Sequence, residues 1–258
     1  MKTVIKVGTS TLAYPTGRLN IRHMERLCRV ISDIKNSGSD IILVSSGAVG
    51  MGMGKLALKE RPTRLSLKQA TAAVGQCELM YTYDKLFSEY NHTVAQILLT
   101  ADDIKDEGRK TNFTNTVSEL LSLGALPIVN ENDTVATGEL EVAIGDNDTL
   151  AAIVAESVGA DLFVMLTDID GLYTADPRLD KDAVLIPEVE HIDAYVEKIA
   201  GGAGSGVGTG GMKTKISAAK IATAAGCDTV IVDGSDPYVL YDIADGKKVG
   251  TRFIGNKK

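Results

Sequence analysis

The chain has 258 residues, of which 44% are hydrophobic, and a formal net charge of −7 at pH 7. This size and apolar content suit one large α/β domain or two small ones, and the acidic balance argues against nucleic acid or an anionic membrane as a partner. No apolar run is long enough to span a membrane, and the three cysteines and three histidines are scattered, which indicates a reducing, cytoplasmic location and no structural metal.

Short β-branched segments alternate with longer helical patterns along the whole chain. The segments that read as strands are residues 3–7, 40–44, 94–99, 126–129, 162–166, 229–232 and 251–254, and the helical stretches lie near residues 21–36, 65–90, 111–123, 149–158, 214–225 and 237–244. Several strands are apolar throughout, which is typical of strands covered on both faces. The alternation predicts one continuous, mostly parallel sheet with helices on both sides and ligands at the carboxyl ends of the strands.

A lysine, Lys6, interrupts the apolar first strand shortly before Gly8. A lysine inside a buried strand is costly unless an anion neutralises it. Lys6 therefore lies either at an edge of the sheet, with its ammonium group in water, or at the strand end, where it reaches a phosphate group and Gly8 leaves space for that group.

The second strand runs into Ser45, Ser46 and Gly47, ahead of a predicted turn toward a helix. Hydroxyl and amide groups at such a turn suit a ligand rich in oxygen. Ser46 does not fit a nucleophile, because no Gly-x-Ser-x-Gly motif surrounds it and no histidine is assignable as its base. A binding role or ordinary turn chemistry explains Ser46 better.

Two segments rich in Asn and Asp follow, at residues 130–133 (Asn-Glu-Asn-Asp) and 145–148 (Gly-Asp-Asn-Asp). Such residues are typical of turns and helix caps, and Asp148 is a candidate cap for a helix that begins near residue 149. An EF-hand is excluded because its 12-residue register of ligands and its terminal Glu are missing. If both segments lie at one edge of the sheet, they surround a small polar substrate with amide and carboxylate groups.

Thr167 and Asp168 follow the buried strand at residues 162–166. At the carboxyl end of a parallel strand they are placed to contact the ribose or the phosphates of a nucleotide. The segment carries little weight when it is taken alone.

A run rich in glycine, residues 202–215, ends in Met212-Lys213-Thr214-Lys215 and leads into a helix. Glycines let the backbone approach a ligand, consecutive N–H groups at a helix N-terminus favour an anion, and the lysines add positive charge. Residues 206–211 also fit the dinucleotide fingerprint, but the preceding residues 192–200 look helical instead of forming a strand. The run predicts a site for a phosphorylated ligand, with a flexible surface loop as the alternative.

Taken in order, these segments resemble the amino acid kinase family, and within it the members that phosphorylate glutamate. The matching stretches are residues 4–10 (VIKVGTS), 44–48 (VSSGA), 129–133 (VNEND), 145–148 (GDND), 166–168 (LTD), 171–178 (GLYTADPR) and 208–215 (GTGGMKTK). The resemblance implies a three-layer αβα sandwich built as a single domain, with the amino-acid site in about residues 1–150 and ATP in about residues 151–258. It also implies transfer of a phosphoryl group from ATP, with Mg²⁺, to the side-chain carboxylate of L-glutamate, the first committed step toward proline.

Carried over by position, the resemblance implies three groups of site residues. Lys6 and Lys215 hold the transferring phosphate from two sides, and Asp148 holds the two lysines in position. The substrate-binding residues are Ser46, Gly47, Asp133 and Asn147, and the nucleotide-binding residues are Lys6, Gly8, Thr167, Asp168, Thr209, Gly210, Gly211, Met212, Lys213, Thr214 and Lys215. No general base is required, because a carboxylate is already a nucleophile at neutral pH and catalysis reduces to alignment and charge stabilisation.

Other readings stay open at this point. Members of the same family act on N-acetylglutamate, aspartate, carbamate or UMP, and a non-catalytic amino-acid sensor on the same scaffold is a further alternative. The paired Asn/Asp motifs favour glutamate, and the retention of both lysines and Asp148 argues against a sensor. The resemblance predicts a homo-oligomer. Many family members continue into a C-terminal PUA domain, which we expect to be missing because the chain ends at Lys258.

Overall fold

The computed structural model describes residues 1–14, 18–136, 147–201 and 211–256. Its strands are β1 (Lys2–Val7), β2 (Asp40–Ser45), β3 (Val94–Leu99), β4 (Leu126–Glu131), β5 (Leu162–Thr167), β6 (Glu188–Val189), β7 (Asp228–Asp233) and β8 (Thr251–Phe253). Its helices are α1 (Thr9–Leu12), α2 (Ile21–Asn36), α3 (Ala48–Lys55), α4 (Leu65–Ser88), α5 (Ala101–Lys105), α6 (Glu107–Ser122), α7 (Asn147–Val158), α8 (Ala194–Ala200), α9 (Met212–Ala224) and α10 (Val239–Ala244). All the predicted strands and helices are present, and the structure adds β6 and several short helices.

The strands form one sheet in the order β3-β4-β2-β1-β5-β7-β8-β6. Every neighbouring pair is parallel except β7 and β8, so the prediction of a mostly parallel sheet is confirmed. The strands β2, β3 and β4, which follow β1 in the chain, all lie on one side of it in the sheet. The next strands, β5 and β7, lie on the other side. In an open parallel sheet, ligands bind at the carboxyl ends of the strands where the strand order reverses in this way. The expected binding crevice therefore lies beside the end of β1.

Side chains alternate between the two faces of the sheet and build two separate cores. Val4 and Val44 pack on one face against α6, α7 and α9, while Ile5 and Leu43 pack on the other face against α2, α4 and α10. Helices thus cover both faces, and the predicted three-layer αβα sandwich is confirmed. None of the helices in the described part of the chain has the length and apolar character needed to cross a membrane.

The sequence indicated a turn toward a helix after Gly47 without giving its bounds, and the structure has α3 at residues 48–55, which include three glycines that disfavour a helix. The structure explains one of these, Gly52, together with Gly75 of α4, by the close contact between α3 and α4. A Cβ at Gly52 would lie 1.9 Å from the Thr71 carbonyl oxygen, and a Cβ at Gly75 would lie 1.7 Å from the Ala48 carbonyl oxygen. The two helix backbones touch only because neither position carries a side chain, and this contact holds the start of α3 beside the end of β2.

Candidate functional site

Lys6 lies in the middle of the sheet, because β1 is flanked by β2 and β5, where Lys6 is level with Val44 and Met165. Lys6 is two residues after Val4 in the strand, so its side chain points to the same face of the sheet, which α7 and α9 cover. Lys6 is 7% exposed, and its Nζ lies 2.6 Å from Oδ1 of Asp148. The alternative of a solvated edge lysine is therefore wrong.

Asp148 joins two lysines that are far apart in the chain. It lies in the first turn of α7, and its second oxygen, Oδ2, accepts a hydrogen bond from Lys215 Nζ of α9 at 2.9 Å. Asp148 is 1% exposed and Lys215 is 4% exposed. The helix begins at Asn147, two residues earlier than predicted, so Asp148 is inside the first turn and its carboxylate serves the lysines instead of capping the helix.

The two lysines determine the protonation state of Asp148. Burial raises the pKa of Asp148, but the ammonium groups of Lys6 and Lys215 together outweigh that effect and hold the pKa below its ordinary value. Asp148 is therefore ionised at neutral pH, and its two oxygens face the ammonium groups of Lys6 and Lys215. Ammonium groups held together in this way can bind an anionic ligand such as a phosphate group.

The residues predicted to contact a nucleotide surround the same end of the sheet. Gly8 follows β1, and Thr167 ends β5, where its hydroxyl donates to Asp168 Oδ1 at 3.1 Å. Gly211 is the N-cap of α9, and the Thr214 hydroxyl donates to the Gly211 carbonyl oxygen at 2.9 Å. Met212 and Lys213 open the same helix, whereas the predicted residues Thr209 and Gly210 lie outside the described part of the chain.

Amide side chains connect the substrate-binding candidates. Asn147 Nδ2 donates to the Ser46 hydroxyl oxygen at 2.7 Å and to Asn130 Oδ1 at 3.1 Å. Asn130 Nδ2 in turn donates to Gln76 Oε1 of α4 at 2.8 Å. Asp133 is partly buried in the turn after β4, at the same end of the sheet. The structure thus links Ser46 and Asn147 directly through one hydrogen bond.

Sequence reasoning missed two members of this network. Asn130 was part of a recognised motif without an assigned role, although a polar side chain at the end of a buried strand is a detectable signal. Gln76 gave no signal, because one glutamine in a helix of mixed composition resembles any other until the partner of its side chain is known.

The turn after β2 is held by a buried hydrogen bond and by a special backbone conformation. Ser45 Oγ and the Tyr83 hydroxyl of α4 are 2.8 Å apart in the interior. Gly47 has φ of 108°, a left-handed conformation that favours glycine, and it forms the N-cap of α3. Ser46 and the first amides of α3 are therefore presented beside the end of β1.

Comparisons with known proteins agree over most of the chain. The sequence model of the amino acid kinase family matches residues 1–233. A protein of Clostridium perfringens (strain 13 / Type A) named "Glutamate 5-kinase" is 50% identical over 99% of this chain and 96% of its own length. A protein of the same name from Caldanaerobacter subterraneus subsp. tengcongensis is 52% identical over 100% of this chain and 68% of its own length.

Solved structures with low sequence identity have the same fold. A carbamate kinase from Giardia lamblia bound to AMP-PNP has a TM-score of 0.70 at 17% identity and covers 99% of this chain and 98% of its own. A UMP kinase from Bacillus anthracis has a TM-score of 0.66 at 17% identity and covers 99% of this chain and 96% of its own. At this level of identity the likeness concerns the fold alone.

Proposed function

We propose that this chain, which belongs to the amino acid kinase family, transfers the γ-phosphoryl group of ATP to the side-chain carboxylate of L-glutamate. The observation that carries the proposal is the contact of two buried lysines with one carboxylate at the point where the strand order reverses. The relatives named glutamate 5-kinase, about half identical over nearly the whole chain, support glutamate as the acceptor. The products are γ-glutamyl phosphate, which leads toward proline, and ADP.

Lys6 and Lys215 would hold the migrating phosphoryl group. A glutamate carboxylate oxygen attacks the γ-phosphorus in line, the bond to the oxygen between the β- and γ-phosphorus breaks, and that electron pair leaves with ADP. Charge on the phosphoryl oxygens is then neutralised by ammonium groups from two directions. Asp148 fixes both groups before the reaction, so little reorganisation is needed in the transition state.

The glutamate pocket would be formed by Ser46, Gly47, Asp133 and Asn147. Because the Ser46 oxygen accepts a hydrogen bond from Asn147, its own proton is directed elsewhere and suits a carboxylate oxygen of the substrate. The Asp133 carboxylate is suited to the α-ammonium group. Gly47 brings the N-terminal amides of α3 to the same place, where they favour a negative charge.

The nucleotide would bind to Lys6, Gly8, Thr167, Asp168 and residues 209–215. The two ammonium groups that Asp148 holds together are suited to the phosphates of ATP. Mg²⁺, bound together with ATP, would supply additional neutralisation of the phosphate oxygens. We thus assign about residues 1–150 to the substrate half and about residues 151–258 to the nucleotide half of one domain.

The activity is tested by incubating the protein with ATP, Mg²⁺ and one acceptor at a time, with ADP release and hydroxylamine trapping as readouts. We expect ADP release and a hydroxamate with L-glutamate, and neither above background with N-acetylglutamate, aspartate, carbamate or UMP. Turnover with one of those acceptors in place of glutamate would assign a different activity within the family. Tight glutamate binding without ADP release would favour the sensor.

We also propose a homo-oligomer in the cytoplasm. The exposed side chains of Cys77 and Tyr81 on α4 are candidate contacts for a second copy. The free thiols of Cys28, Cys77 and Cys227 and the use of ATP support a reducing compartment. Light scattering coupled to size-exclusion chromatography tests the assembly, and a mass of one chain would contradict it.

A further inference from the structure

Gln76 of α4 has a buried side-chain amide. Its oxygen is hydrogen-bonded within the site, but its NH₂ group is not. The residue is 9% exposed, and its Oε1 accepts the hydrogen bond from Asn130 Nδ2 at 2.8 Å. Its Nε2 is buried and has no hydrogen-bond partner among the described residues. A buried donor without an acceptor is costly, so native proteins nearly always supply one from the chain, from water or from a ligand.

The orientation of the Gln76 amide follows from its neighbours. The backbone N–H of Glu131 donates to the Asn130 side chain at 2.9 Å, so the Asn130 atom that it meets must be the oxygen. The other terminal atom of Asn130 is then the NH₂ group, and the Gln76 atom facing it must be an oxygen. The opposite orientation would place two NH₂ groups against each other. Nε2 of Gln76 is therefore the donor left over.

Asn130, near the end of β4, connects Gln76 to the end of the sheet where we place the substrate. Asn130 links Gln76 to Asn147, which is the residue before Asp148. The residue before Gln76, Gly75, touches the first turn of α3, since a Cβ there would lie 1.7 Å from the Ala48 carbonyl oxygen. The side chains of Asn130 and Asn147 thus lie between Gln76 and Asp148, the carboxylate that contacts both lysines.

We infer that Gln76 Nε2 donates a hydrogen bond to the α-carboxylate of the amino-acid substrate. The inference rests on the proposed function. The γ-carboxylate must meet the phosphoryl group at Lys6 and Lys215, so the other end of the substrate extends toward the amide network. An N–H group matches a carboxylate oxygen and is mismatched with a carboxamide NH₂ at the same place. Gln76 therefore selects a free α-carboxylate.

The variant Gln76→Glu tests this inference, because it keeps an oxygen facing Asn130 and replaces the donor NH₂ group with a second oxygen that shares a negative charge. We expect the KM for glutamate to rise about tenfold or more, while kcat and the KM for ATP stay within about twofold. The control Gln96→Glu makes the same change at an exposed position of β3 and should alter none of the three constants.

A second substrate separates a contact with the ligand from a packing role. The α-amide of L-glutamate keeps its γ-carboxylate but presents an NH₂ group in place of an α-carboxylate oxygen. The wild type should favour glutamate strongly over this amide, and Gln76→Glu should narrow that preference, because the new carboxylate accepts a hydrogen bond from the amide. If Gln76 only stabilised the packing, the preference of the enzyme for glutamate over the amide would be the same in the variant and the wild type.

The outcomes are distinct. An unchanged KM for glutamate in Gln76→Glu overturns the inference, as does an equal loss in all three constants together with a lower melting temperature. If the charged variant does not fold, Gln76→Met removes the donor without charge, and its KM for glutamate must rise in the same way. Absence of hydroxamate from the wild type would refute the proposed function instead, so the two failures cannot be confused.

Discussion

Lys6 and Lys215 contact opposite oxygens of a single carboxylate: Lys6 Nζ lies 2.6 Å from Asp148 Oδ1, and Lys215 Nζ lies 2.9 Å from Asp148 Oδ2. One lysine comes from the central strand and the other from α9, so the pair exists only in the folded chain. Because the two ammonium groups are buried and held together at the end of the central strand, the pair supports our proposal of a site for a migrating phosphoryl group.

Lys215→Ala should lower kcat by about 10² to 10³ and change the affinity for glutamate by less than about threefold. The reason is that the proposed contact with the phosphoryl group is strongest in the transition state. Steady-state kinetics and calorimetric titration of glutamate measure the two effects. Lys220→Ala removes an exposed lysine of the same helix and should change neither quantity. Equal losses of turnover and glutamate binding would contradict the role.

Asp148→Asn should reduce both activity and stability. It leaves two buried ammonium groups without their anion, and the loss of one partner of a buried ion pair costs about 3 to 5 kcal/mol. The free energy of unfolding, measured by urea denaturation, should fall by about that amount. Asp242→Asn, which breaks an exposed ion pair with Lys247, should change it by less than about 1 kcal/mol. An effect at Asp148 as small as this control would disprove a role for the carboxylate in holding the lysines.

Stability should fall in mild acid because of His23. Burial lowers the pKa of His23 below its ordinary value of 6.5, against smaller opposing effects of a backbone hydrogen bond with Ser235 and the charge of Asp236. The unfolded chain therefore takes up a proton at a higher pH than the folded protein, so this contribution to stability is complete above about pH 6.5 and declines as the pH falls toward the folded pKa.

The free energy of unfolding, measured between about pH 7.5 and 5, should consequently decrease in the wild type more steeply than in His23→Leu. His191→Gln changes an exposed histidine and should keep the wild-type slope. Identical slopes for the wild type and His23→Leu would assign the acid sensitivity to other groups.

Gly75→Ala should disrupt the contact between α3 and α4. The added methyl group would lie 1.7 Å from the Ala48 carbonyl oxygen, so the helices must separate, at a cost of about 3 kcal/mol or more. The start of α3 carries Gly47, so the KM for glutamate should rise as well. Gly108→Ala makes the same change at an exposed position in α6 and should alter stability by no more than about 1 kcal/mol. A Gly75→Ala protein with wild-type stability would show that the helices are not tightly packed.

The strand and helix pattern could be predicted because it is local. Apolar runs of strand length and helical stripes recur in order, and every predicted strand appears in the sheet. The predicted strands 126–129 and 162–166 ended too early at the carboxyl end of the sheet, since β4 continues to Glu131 and β5 to Thr167. The side chains become polar there, but the backbone hydrogen bonds between the strands continue. The bounds of the short helix α3 could not be predicted, because its Gly52 serves a contact with α4 that no local pattern reveals.

The sequence by itself determined the class of fold, the family and the residue types of the site, because motifs and hydrophobic periodicity are properties of adjacent residues. Only the tertiary structure decided that Lys6 is buried in the sheet interior and that Gln76 joins the amide network. Both outcomes depend on the order of strands in the sheet and on which helix covers which face. Those arrangements bring together residues distant in the chain, and the physical reason they hold is the packing of two cores on opposite faces of one sheet.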